Sequence, residues 1–226
     1  MSLAGSFIRA VIAPLWAAKE GTPYLRHLKT VEEMHRWSAE KVRAYQEGRL
    51  QKLVRHAFEH TEYYHDRFAA AGVGVDTVRT LDDLLKLPLL TKDDIRANKE
   101  RMVARTIARE QLAPRKTSGS TGVSVELYVD EDSGQWKRAV TTAYDRWSGW
   151  DIGERVGAIW GNPECYQNWR LYLRNQLLTR HIFLDTLKMD EPTMRAYHAE
   201  LVKKQPVILF GHAHSLFLFA RYMDQS

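Results

Sequence analysis

The spacing of apolar and polar positions changes character near the middle of the chain. Before residue 110 it is helical. Leu50, Leu53, Val54, Ala57 and Phe58 recur at three- and four-residue steps, with Arg49, Lys52, His56 and Glu59 on the opposite side, which predicts a helix burying one stripe. Thr30 with Glu33, Thr80 with Asp83 and Thr91 with Asp94 each set a hydroxyl three residues ahead of a carboxylate. That reciprocal arrangement satisfies the unpaired N–H groups of a first helical turn, so three helix starts are predicted. Pro88 closes the short helix that begins at Thr80.

From Lys116 onward strand and helix patterns alternate. Val125, Leu127 and Val129 form one face of a half-buried strand. Trp136, Ala139, Val140, Ala143, Tyr144 and Trp147 follow at helical spacing, with Gly149 as the stop and the aromatic members expected in the core. A strand at Val156–Trp160, a helix over Trp169–Leu178 and a strand at His181–Leu184 come next. Pro192 then opens another helix, Val207 to Phe210 form a strand, and a helix covers Leu216–Met223. Strand, crossover helix and strand in repetition predict an α/β fold, with a helical N-terminal region followed by a mostly parallel sheet carrying helices on its faces. The division expected is a helical region at 1–110 and an α/β portion at 111–226.

Composition narrows the class. With 226 residues, 44% of them hydrophobic, the chain is long enough for a sizeable core. Its single cysteine, Cys165, rules out an intramolecular disulfide framework and favours the cytoplasm. A net charge of +5 is spread among interleaved acids, a pattern of solvated surface rather than a nucleic-acid groove. The apolar stretch Ala10–Ala18 is broken by Pro14 and too short to span a bilayer, and no clear signal-peptide cleavage site follows it.

Candidate chemistry centres on Lys116-Thr117-Ser118-Gly119-Ser120-Thr121-Gly122, just ahead of a strand. Glycines let the backbone approach a ligand, and hydroxyls with free N–H groups donate to phosphate oxygens, so the stretch reads as an anion cradle or as an ordinary polar turn. It is neither a Walker loop, since Val123 follows Gly122 where a lysine is required, nor a dinucleotide glycine motif, which lacks this hydroxyl density. His56, Glu59 and His60 match the inverted zinc-peptidase pattern but lie on a polar helix face, which favours solvated surface over metal. His212 and His214 follow a strand end, where a strand-to-helix turn, a metal pair or a pocket wall are the readings. Cys165 is a nucleophile in one reading and a structural thiol in the other.

The stretch Thr117–Gly122 resembles the phosphate-binding loop of the adenylate-forming superfamily, in its phenylacetate-CoA ligase-like branch, which includes relatives associated with capsular polysaccharide synthesis. Leu50–Phe68 with Leu84–Ile95, and Gln205–Tyr222, are also similar to that branch. Where the family places a small or basic residue and then proline after the last loop glycine, this chain has Val123-Ser124. The resemblance implies the N-terminal half of a ligase, without the C-terminal lid, that joins ATP and a small carboxylic acid into an acyl-adenylate and then a coenzyme A thioester. Thr117, Ser118, Gly119, Ser120, Thr121 and Gly122 would hold the phosphates, with Lys116 at the rim and Mg2+ as the implied metal. Trp160, Asn162, Tyr166, Gly211 and His212 are the implied acyl-pocket residues, and no catalytic residue or protein metal ligand is assigned. A non-catalytic nucleotide- or partner-binding fragment is the alternative. Self-association, or pairing with a missing C-terminal half, is the expected partnership.

Overall fold

A computed structural model describes residues 2–117, 124–161 and 168–225. The first third is helical: α1 (Leu3–Phe7), a π turn (Ile8–Ile12), α2 (Ala13–Glu20), α3 (Tyr24–Met34), α4 (Ala39–His60), α5 (Glu62–Ala70), a 3-10 turn (Asp82–Lys86) and α6 (Lys92–Asn98). β1 (Leu112–Lys116) and β2 (Glu126–Asp130) follow, then α7 (Glu131–Asp145), β3 (Val156–Trp160), α8 (Trp169–Arg174) running into a second π turn (Asn175–Thr179), and β4 (His181–Asp185). The chain continues through α9 (Glu191–Lys204), β5 (Ile208–Gly211) and α10 (Ala213–Gln225). The fold is α/β, helical first and sheet-containing after, with a parallel three-stranded sheet.

Two compact units form: Thr30–Lys137 is one, and Met1–Lys29 together with Arg138–Ser226 is the other. In the Thr30–Lys137 unit, Val54, Phe68, Val73 and Val78 are buried together, with Leu50, Ala57, Phe58 and Leu87 packed around them. Leu53, expected in the same stripe, is exposed, because the buried arc of α4 is narrower than the sequence stripe. Thr91 and Asp94 form the expected capping box, in which the Thr91 hydroxyl accepts from the Asp94 N–H at 3.1 Å while the Asp94 carboxylate accepts from the Thr91 N–H at 2.9 Å. Those bonds hold the Asp94 carboxyl below its ordinary range. Thr91→Ala is expected to cost about 1 kcal/mol in urea unfolding; no measurable loss would show that α6 is held by other contacts.

Two helix-start expectations need correction. Thr30 lies inside α3, whose start is set by Pro23 and by the Thr22 hydroxyl accepting from the Tyr24 N–H at 3.3 Å. Thr80 donates its hydroxyl to Asp83 at 3.0 Å and the turn it opens is 3-10, not α. Leu87 turns extended ahead of Pro88, ending that turn as expected.

In the other unit the sheet order is β4-β3-β5, all parallel. Ile159 faces Leu184 on one side and Gly211 on the other. Ile159, Ile182, Leu184, Tyr197 and Phe219 make the core, so α9 and α10 cover one sheet face. Val125 is buried as expected and begins the extended run into β2, but β2 pairs antiparallel with β1 in a separate two-stranded sheet. β1 escapes a pattern reading because Pro114, Arg115 and Lys116 dilute its apolar alternation. Leu127 is exposed rather than half-buried. Tyr144 and Trp147 are exposed as well, stacking edge-on at 4.8 Å instead of entering the core. Gly153 adopts φ 88° at the base of β3, and a Cβ there would stand 2.7 Å from the Gly5 carbonyl oxygen, so the close pass against α1 requires glycine.

Candidate functional site

The chain leaves β3 toward β4 and returns on the other side of β3 as β5. The carboxyl ends of β3 and β5 therefore stand side by side, and in open α/β sheets ligands lie in such crevices. Trp160 ends β3, Gly211 ends β5, and His212 follows it. The Trp160 ring stacks on His212 with centroids 3.9 Å apart and planes 16° off parallel, and on Phe210 at 5.1 Å. The His212 N–H donates to the Ile159 carbonyl at 3.4 Å, extending the strand pairing by one rung. A Cβ at Gly211 would lie 2.6 Å from that same carbonyl oxygen, so only glycine lets the two strands close to this spacing. Trp160, Gly211 and His212, three of the implied acyl-pocket residues, stand together here. Asn162, Tyr166 and Cys165 lie outside the described residues.

Phe210 completes the aromatic platform, and Asp185 and Thr186 close its β4 side. Asp185 pairs in register with Trp160, and its carboxylate accepts from the Leu187 N–H at 2.9 Å. A Cβ at Gly161 would sit 3.0 Å from the Thr186 hydroxyl oxygen. Sequence reasoning missed these three. The signal for Asp185 was an acidic residue at the end of an apolar strand, and Phe210 was hidden inside a strand-like run.

The second candidate lies on the β1–β2 hairpin. Register runs from Leu112 opposite Asp130 to Lys116 opposite Glu126. One further rung closes it: the Thr117 N–H donates to the Val125 carbonyl at 2.9 Å, and the Val125 N–H donates to the Thr117 hydroxyl oxygen at 2.9 Å. The Thr117 hydroxyl oxygen thus accepts at the neck of the hairpin. Ser118, Gly119, Ser120, Thr121 and Gly122 lie outside the described residues. Lys99 reaches Glu126 at 3.0 Å. Its ammonium is held above its ordinary range, first by the Tyr128 hydroxyl and then by Glu126. Tyr128 also carries the Arg109 guanidinium 3.5 Å over its ring and donates to Glu100 at 3.0 Å, so the strand leaving the neck is fixed by a polar network.

The His56 and His60 rings are tilted at 59° with centroids 4.9 Å apart, and Glu59 stands 3.9 Å from the His60 ring nitrogen. Among the described residues no three His, Cys, Asp or Glu side chains gather as a metal site. No helix among them is long and apolar enough to cross a membrane.

No family model matches the chain. It is 35% identical over 134 residues to a phenylacetate-coenzyme A ligase of Aromatoleum evansii, covering 58% of this chain and 30% of that protein. Against the phenylacetate-coenzyme A ligase of Escherichia coli strain K12 the identity is 34% over 104 residues, covering 46% and 24%. Protein CapK of Staphylococcus aureus is 23% identical over 180 residues, covering 79% of this chain and 39% of its own length. Among solved structures, 2-hydroxyisobutyryl-CoA ligase in complex with 2-HIB-AMP and CoA superposes with a TM-score of 0.61 at 19% identity, over 83% of this chain and 40% of that one. The chain resembles the N-terminal part of adenylate-forming ligases. Its curated relatives are of the phenylacetate-CoA ligase and CapK kinds, and it spans about a third or less of the length of the ligases among them.

Proposed function

We propose that this chain is the nucleotide-gripping part of a ligase that joins a small carboxylic acid to AMP and then to coenzyme A. The observation that carries the reading is the reciprocal Thr117–Val125 pair, which pins both ends of the glycine- and hydroxyl-rich segment at strand spacing. Anchoring both ends lowers the cost of bringing N–H and O–H groups to a phosphate. The similarity to phenylacetate-coenzyme A ligases supports it. Thr117, Ser118, Ser120 and Thr121 would donate to the phosphates, Gly119 and Gly122 would let the backbone turn, and Lys116 would add positive charge at the rim. When bound, ATP supplies the activated phosphorus that the carboxylate attacks, with pyrophosphate leaving. The protein's part is positioning and neutralising charge. Trp160 and His212 offer a flat aromatic platform at the carboxyl ends of β3 and β5 for a planar acyl group, with Asn162 and Tyr166 as further wall residues. Magnesium accompanies the nucleotide in this reading, and no described side chain is assigned to it.

The short span relative to the ligases favours a second reading, a nucleotide- or partner-binding piece that completes a site only with a C-terminal half or a second copy. A cytoplasmic setting fits the lone thiol. Carboxylate-dependent exchange of labelled pyrophosphate into ATP separates the two readings. The chain alone is expected to bind ATP without exchange. Thr121→Ala or Gly119→Val should weaken that binding about tenfold or more, given roughly 1.5–3 kcal/mol for each donor to a charged oxygen. Unchanged ATP affinity in both variants would refute the loop's role. The same changes in an intact relative should raise KM for ATP and lower kcat.

A further inference from the structure

We propose that the N-terminal rod and α8 together form a surface that lies on an anionic lipid bilayer. This goes beyond the ligase reading and stands or falls independently of it. The rod, α1 through α2, buries Gly5, Ile8 and Ala13 on one side. Its outward side is apolar too: Leu3 is 93% exposed and Leu15 65%, with Phe7 and Val11 exposed between them. Four-residue steps drift by about 40° around a straight α-helix. The wider π turn at Ile8–Ile12 takes up part of that drift and keeps the four side chains in one line. The outward side of a surface helix normally carries charge, so an unbroken apolar line calls for a partner.

What flanks that line indicates the partner. A groove of about 500 Å³ runs between α2 and α8, lined by Trp16 and Lys19 on one wall and by Trp169, Arg170 and Arg174 on the other. Trp169 is 69% exposed, and Tyr172 and Leu173 beside it are exposed too. The Lys19 ammonium lies 5.8 Å from the Trp16 ring centre and the Arg170 guanidinium 5.6 Å from that of Trp169. Tryptophan and tyrosine with adjacent cations, bordering leucine and phenylalanine, is the composition that sits at the level of lipid headgroups. Three cations line the groove against one acid, Glu20. That imbalance favours an anionic bilayer over a neutral one or an acid-free protein groove. The rod lies along the surface rather than through it, because its other side packs on its own unit.

Sedimentation of the whole chain with vesicles tests this. Vesicles containing phosphatidylglycerol should capture about tenfold or more protein than pure phosphatidylcholine ones, since each cation at an anionic surface contributes about fivefold. Phe7→Glu with Leu15→Glu should bring capture to background while leaving the circular dichroism spectrum unchanged. Should that variant misfold, Lys19→Glu with Arg170→Glu alters charge alone and should abolish the preference for phosphatidylglycerol. Leu85→Glu with Leu89→Glu, at exposed leucines of the other unit, should bind as the unaltered chain does. The proposal is overturned if the unaltered chain stays in solution with both vesicle types, or if the charge-altered chain keeps its preference. It is equally overturned if sedimentation equilibrium shows a dimer that the Phe7 and Leu15 changes dissolve.

Discussion

Ile159→Ala should unfold at a markedly lower urea concentration than the unaltered chain, with a loss of about 2–5 kcal/mol. Ile159 is 0% exposed at the middle strand of the sheet, between Leu184 and Gly211, and packs with Tyr197 and Phe219. Strands on both sides hold the backbone in place, so the space left by the lost methyls cannot collapse, and the upper half of that range is expected. Total stabilities of natural domains are about 5–15 kcal/mol, which makes this a large fraction. The carbonyl of Ile159 also receives the His212 N–H, so the stack of Trp160 on His212 should loosen before global unfolding. A loss below about 1 kcal/mol, at unchanged urea dependence, would mean that this cluster is not the core.

Acidification from pH 6.5 to pH 4 should cost about 2–3 kcal/mol through His181, the lower figure allowing for the ring's remaining solvent contact. Burial pulls this imidazole down to about 4, against an ordinary value of 6.5. Between those values the unfolded chain binds a proton that the folded chain refuses, so stability rises with pH across the window and is fully recovered above pH 6.5. Asp145, whose carboxyl burial raises, works in the opposite sense just above its ordinary range. Asp94, Asp190 and Glu200, all lowered by hydrogen-bonded partners, lose their contributions mainly below pH 4.5. His181→Leu should therefore flatten the curve between pH 4 and 6.5 and leave the acid limb in place. A slope that survives the substitution would assign it to other groups.

The elements of β3, β4, α9, β5 and α10 were legible because each has an unmixed signal: apolar runs of strand length, a proline at the first helical turn, a glycine at a strand end. That Trp160 should stand beside Gly211 and His212 was legible, since strand ends in a parallel sheet lie side by side. The positions of Phe210, Asp185 and Thr186 beside Trp160 were not, because a sequence does not say that β3 is the middle strand with β4 on one side and β5 on the other. The pairing of β1 with β2 was equally hidden, as a polar strand shows its partner only once both are folded. Nor could periodicity tell that Met1–Lys29 joins Arg138–Ser226 in one unit. That union rests on distant polar contacts, the Ser2 N–H and hydroxyl to the buried Glu154 carboxylate at 2.8 and 2.9 Å and Arg9 to Asp151 at 2.7 Å.

The two hydrogen bonds between Thr117 and Val125 mark how far the hairpin register is enforced. Below the clasp, a change of one residue would flip every side chain of β1 or β2 to the wrong face. The register constraint ends at that clasp, the last rung of the hairpin among the described residues. A change at Thr117 or Val125 would therefore be felt along the whole hairpin.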